Sequence, residues 1–119
     1  MKNIPKIAIV LIAILLPAAA HAHAFLDHAS PRVGSTVATA PRELLLWFTE
    51  KLEPTFSTVE VRNAQGAVVS SKAQVAGSDG TELRVPLKAL PPGTYSVTWR
   101  VLSVDTHRTQ GNFTFHVGQ

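Results

Sequence analysis

Behind an apolar run near its start, the chain alternates between apolar and polar positions in short stretches. In ELLLWFTE (Glu43 to Glu50), Leu44, Leu46 and Phe48 fall on one face of an extended segment, and Leu45 and Trp47 on the other. LPPGTYSVTWRVL (Leu90 to Leu102) opens in a Pro-Gly turn and continues as a long strand with Tyr95, Val97 and Trp99 pointing inward. Further short strands are expected over Phe25–Ala29, Thr36–Ala40, Phe56–Asn63, Ala67–Ala73, Thr81–Leu87 and Gly111–Val117. Turn signals separate them: SPRVGS (Ser30 to Ser35), NAQG (Asn63 to Gly66) and AGSDG (Ala76 to Gly80). No helical period of useful length interrupts the pattern. Seven or eight short strands at regular spacing predict an all-β, immunoglobulin-like Greek-key sandwich and leave no room for a parallel sheet. GTYSV is similar to the tyrosine corner of such sandwiches, with Tyr95 near the start of a late strand. Val97 stands where an antibody domain carries its second Cys, so the core must hold without that bridge.

The apolar run itself has a different meaning. Lys2 and Lys6 precede Ile7–Leu16, which is too short to span a bilayer as a helix. Pro17 and a tail of small residues follow, the pattern of a secretory signal peptide. Cleavage fits after Ala20 or after Ala22, with a further site after Ala24. The cut after Ala22 makes residues 1–22 the leader and residues 23–119 one small domain, with no stable membrane insertion once the leader has gone. The expected address is the periplasm of a Gram-negative bacterium. The leader removes two of the eleven Lys and Arg, set against eight Asp and Glu, and takes the net charge from +3 to +1. That balance gives no reason to expect nucleic acid or an anionic membrane as partner.

The chain has no Cys, and its one Met is Met1. A mature domain without thiol or thioether can hold a metal only through imidazole, amine, carboxylate, hydroxyl or backbone groups. Five histidines are available: His21, His23, His28, His107 and His116. In SVDTHRTQG (Ser103 to Gly111), Asp105 and His107 are spaced i, i+2 and would present a carboxylate and an imidazole on one side. A turn Asp beside a solvated His has the same spacing. The N-terminus adds weight to the metal alternative. With His23 as residue one, its α-amine and Nδ1 close a six-membered chelate ring, and an α-amine of pKa about 8 yields its proton to a cation near neutrality. Adding His107 and Asp105 makes three nitrogens and one oxygen, a donor set suited to Cu(II), which heads the affinity order. Zinc could use the same ligands in tetrahedral geometry. A cut before His21 would instead place His23 third, where amine, amides and imidazole bind Cu(II) locally.

These residues carry a resemblance. The chain resembles the CopC family of periplasmic copper-resistance proteins along its whole mature length. The likeness includes the His-Ala start at His23, Ser30-Pro31, LWFTE through FSTVEV, LPPGTYSVTWRVLSVDTH and GNFTFHV; Gly93 to Phe115 is the most specific part. The resemblance implies a β-sandwich that binds one Cu(II) through His23, Asp105 and His107. It also implies an inner-membrane CopD-type partner that receives or moves copper. Some members of the family carry a Met-rich loop that holds Cu(I), mid-chain. The corresponding stretch here, Val61 to Lys72, has no Met, so no Cu(I) site is expected.

The expected function is therefore a Cu(II) carrier or buffer for copper resistance and homeostasis, not an enzyme. Two alternatives stand beside it. Copper polysaccharide monooxygenases also use an N-terminal His chelate with a second His on a sandwich, but keep positions open for oxygen, one of which Asp105 would fill. A metal-free interaction module is the other. Among the remaining residues, His28 is expected in a packing or hydrogen-bonding role and His116 in solvent. Leu45 and Trp47 are read either as a partner surface or as covered by a loop. Arg108 either neutralises a nearby carboxylate or is solvated.

Overall fold

The computed structural model describes Asn3 and residues 24–118. Among the described residues, eight strands form: β1 (Leu26–Ser30), β2 (Thr36–Val37), β3 (Glu43–Phe48), β4 (Thr58–Arg62), β5 (Gln74–Ala76), β6 (Glu82–Pro86), β7 (Gly93–Leu102) and β8 (Arg108–Val117). A 3₁₀ turn, Pro54–Phe56, precedes β4. The strands make two four-stranded sheets, in orders β1-β3-β6-β5 and β2-β8-β7-β4. The all-β sandwich expected from the alternation is what forms. All pairs within the sheets are antiparallel except β2 on β8, a two-residue parallel pair at the edge.

Alternation explains the core. Leu44, Leu46 and Phe48 of β3 and Leu83 and Val85 of β6 turn inward from one sheet. Tyr95, Val97, Trp99 and Val101 of β7 meet them from the other, with Phe113, Phe115 and Val117 of β8. Val97 is fully buried, and apolar packing fills the place of a disulfide. The Tyr95 hydroxyl donates to the backbone carbonyl of Pro91, four residues upstream, as a tyrosine corner does. Burial pushes the phenol pKa up. Asn63 Oδ1 accepts from the amides of Gln65 and Ala67, which closes the NAQG turn.

Of the expected strands, Thr36–Ala40 forms only over Thr36–Val37, Phe56 belongs to the 3₁₀ turn rather than to β4, and two further segments differ more deeply. Ala67–Ala73 is not a strand: Val68 bridges Arg62 in one sheet, whereas Ser70 bridges Leu87 at the end of β6 in the other. A segment that passes between sheets cannot build a ladder in either, so the fold gains β5 only at Gln74–Ala76. The last strand begins at Arg108, not Gly111. Gly111 lies inside β8 opposite Trp99, where a Cβ would come within 2.4 Å of the indole Cζ2. That glycine marks a close approach rather than a strand start.

Candidate metal centre

β7 and β8 pair over ten residues each, from Gly93 opposite Val117 to Leu102 opposite Arg108. Five residues, Ser103 to His107, turn the chain between them. Ser103 is fully buried and organises this loop. Its amide donates to the His107 carbonyl at 3.0 Å, and its carbonyl accepts from the Thr106 amide at 2.9 Å. Its hydroxyl donates to Asp105 Oδ1. The loop is also tied sideways: the Val104 amide donates to the Lys51 carbonyl at 3.0 Å, and the Glu53 amide to the Leu102 carbonyl at 2.8 Å.

This framework brings Asp105 and His107 together. His107 Nδ1 lies 3.5 Å from Asp105 Oδ1, and both side chains are about half exposed, at 48% and 40%. The pair meets across a tight turn, not by the alternation of an extended segment. Thr106 between them has φ of 73°, a left-handed conformation that β-branched residues rarely adopt. The Ser103 hydroxyl holds the Asp105 carboxyl below its ordinary pKa; partial burial opposes this, and the hydrogen bond and charge of His107 reinforce it. Asp105 is therefore an anion at neutral pH, ready to serve as an oxygen donor beside an imidazole.

The N-terminal end of the described domain arrives at the same corner. Ala24 is fully buried, and its carbonyl accepts from the Thr109 hydroxyl, two residues beyond His107. The Phe25 amide donates to Thr49 Oγ1 at 2.9 Å, and the Thr49 amide to the Phe25 carbonyl at 2.9 Å. His21, His23 and, apart from Asn3, the segment expected as a leader lie outside the described residues. Among the described residues, no three His, Asp or Glu side chains group as a metal cluster, so Asp105 and His107 stand as a pair.

The other histidines have different work. His28 faces outward and stacks on Trp47, with ring centroids 4.3 Å apart and planes 10° from parallel. Its Nδ1 lies 2.6 Å from Asp27 Oδ2. Trp47 is thus covered in part by a side chain of the neighbouring strand. His116 is half-buried rather than solvated, because edge strand β2 pairs beside it and Thr94 Oγ1 lies 2.9 Å from its Nδ1. Arg108 is exposed and forms no ion pair among the described residues. Ser103 is the site residue that the spacing of Asp105 and His107 did not reveal. A serine two residues before an aspartate in a turn was the available signal.

Fold and corner together define a class: a small β-sandwich that presents a carboxylate–imidazole pair on a hairpin loop beside its first strand. The chain belongs to the CopC domain family, which it matches over residues 26–118. It is 39% identical over 98 residues to Protein YobA of Escherichia coli K12, covering 81% of this chain and 79% of that one. It is 37% identical over 124 residues to copper resistance protein C of Xanthomonas campestris pv. juglandis, covering 98% and 96%. Its structure is similar to that of CopC from Methylosinus trichosporium OB3b, with a TM-score of 0.76, 33% identity and coverage of 81% and 94%. It is also similar to PcoC, a methionine-rich copper resistance protein from Escherichia coli, with a TM-score of 0.71, 35% identity and coverage of 81% and 99%. The names among these relatives that state a role are those of copper resistance proteins rather than enzymes, in accord with the expectation of a binding protein.

Proposed function

We propose that this chain is an exported copper-binding protein, a periplasmic carrier or buffer in copper resistance, and that it holds one Cu(II) through His23, Asp105 and His107. The observation that supports this most is the convergence at one corner. The hairpin loop pairs an ionised carboxylate with an imidazole, and Thr109, next in β8, clasps the carbonyl of Ala24. His23 precedes Ala24 in sequence by one peptide unit, about 3.8 Å between Cα atoms. Cleavage after Ala22 would free the His23 amine and give the pair its missing chelate. Nitrogen and carboxylate donors fit Cu(II), and with Met1 lost in the leader no sulfur remains to favour Cu(I). A CopD-type protein of the inner membrane is the proposed receiver.

The test is Cu(II) binding, followed by EPR, on protein exported and processed by a bacterial host. The same protein with one extra N-terminal Met is the comparison. One tight tetragonal Cu(II) in the processed form, and loss of most of that affinity in the extended form, is the expected outcome. Equal binding by both would remove the amine from the ligand set and the proposal with it. Because the ligands must be deprotonated, the affinity should fall as the solution is acidified.

A further inference from the structure

On the outer face of the second sheet, beside the hairpin loop, a cleft of about 220 Å³ opens between Phe56 and the ends of β7 and β8. Phe56, which is 59% exposed, lines one side. Arg100, Arg108 and Gln110 line it with Val101 and Thr109. Arg100 lies directly opposite Gln110 in the ladder, and Arg108 closes the same face two residues away. Elsewhere the sandwich pairs arginines on its strands: Arg62 lies 2.5 Å from Glu60, and Arg84 3.7 Å from Glu43. The guanidinium groups of Arg100 and Arg108 have no hydrogen bond or ion pair among the described residues. Two unpaired guanidinium groups on one cleft, with an amide and an aromatic face, make a receptor for a carboxylate.

We propose that this cleft is the anchor for an acidic side chain of a partner protein that docks at the loop. Size favours a side chain over a free metabolite. Sites for small molecules enclose about 300–1,000 Å³, and this cleft is smaller. Charge complementarity selects the carboxylate, because two like charges brought together gain most from a shared anion. Arginine beside an aromatic ring is also the composition of interface hot spots. Position gives the anchor a purpose. Arg108 directly follows His107, and Thr109 both lines the cleft and holds Ala24. A partner seated here would have its own groups next to the Asp105–His107 pair. None of His23, Asp105 and His107 lines the cleft, so the anchor does not stand or fall with the copper ligands.

The experiment is an NMR titration of the processed, metal-free protein with an acetylated, amidated peptide carrying three consecutive glutamates. Its glutamine counterpart and succinate serve as comparisons. Amide shifts centred on Phe56, Arg100, Arg108 and Gln110 are expected with the glutamate peptide alone, weakening as salt is added. Arg100→Glu, an exposed substitution, should weaken binding about tenfold with the spectrum of the fold otherwise kept. Arg100→Lys should fall between, because it keeps the charge and loses the fork. Shifts centred elsewhere, no shifts, or unchanged affinity in Arg100→Glu would overturn the proposal. So would succinate binding as tightly as the peptide, which would make the cleft a small-anion site. Failure of copper binding, measured separately, would leave this result untouched.

Discussion

The hydroxyl of Ser103 sits under the loop and donates to the carboxylate that stands beside His107. Ser103→Ala would leave the backbone bonds of the turn in place and take away that donor. The expected cost is about 1–2 kcal/mol of stability, read from chemical denaturation. The Asp105 carboxyl should also titrate closer to its ordinary 3.8, read by carboxyl NMR. The sign of the pH effect follows from the lowered folded value. Ionised Asp105 stabilises the loop at neutral pH, and that contribution is lost as pH falls through the folded pKa. In Ser103→Ala this acid-dependent part of stability should shrink. Gly111 makes a second residue-scale case. Gly111→Ala would drive a methyl into the Trp99 ring, and the expected loss is about 1–3 kcal/mol. For a domain of this size that lowers the melting temperature by about 4–8 °C per kcal/mol, which calorimetry would show.

At the scale of elements, the β7–β8 hairpin is the arm that carries the loop, and it is held at both ends. At the far end, Tyr95 bonds Pro91 and stacks on Phe115, with centroids 5.4 Å apart. At the near end, Trp99 and Phe48 of the opposite sheet meet edge to face, with centroids 5.2 Å apart and planes at 72°. Tyr95→Phe keeps the ring and removes one part-buried hydrogen bond, so stability should drop by about 1 kcal/mol while the Asp105–His107 pair stays intact. Metal binding measured on that variant should match the parent. A fall in affinity as large as that of a ligand substitution would show that the corner and the loop are coupled through the hairpin. Burial raises the Tyr95 pKa, so its contribution persists below the ordinary phenol value and is lost as pH rises through the folded one. An absorbance titration in alkali would show this as a late phenolate transition.

For the molecule as a whole, the metal should act as a staple between the N-terminus and the last hairpin. A ligand that binds only the folded state stabilises it by mass action, by about 2.7 kcal/mol at a free concentration one hundred times its Kd. Processed protein should therefore melt higher with Cu(II). Asp105→Asn and His107→Ala should each lose most of that gain, with each variant compared with its own melting point without metal, because Asp105 also holds the loop through Ser103. Equal upward shifts in all of these proteins would place the metal elsewhere. Trp47 provides a separate optical probe: because His28 stacks on it, His28→Ala should change its emission without disturbing the core.

The sequence by itself determined the sandwich, because period-two alternation allows only one face of each strand to be buried, and Leu44, Leu46, Phe48, Tyr95, Val97 and Trp99 all turned inward as their spacing required. The tyrosine corner and the NAQG turn were legible for the same reason, since each is a local bond between residues close in sequence. The Asp105–His107 pairing was legible too, although its cause was a turn rather than alternation. Contacts between distant segments were not. The passage of Val68 and Ser70 from one sheet to the other, the close approach of Trp99 over Gly111 and the stacking of His28 on Trp47 each depend on how strands pack. So do the clasp of Thr109 on Ala24, 85 residues apart in sequence, and the gathering of Phe56 with Arg100 and Arg108. Local rules carry the first group because a residue's neighbours in sequence supply its partners. Only the tertiary structure decided the second, because those partners come from elsewhere in the chain.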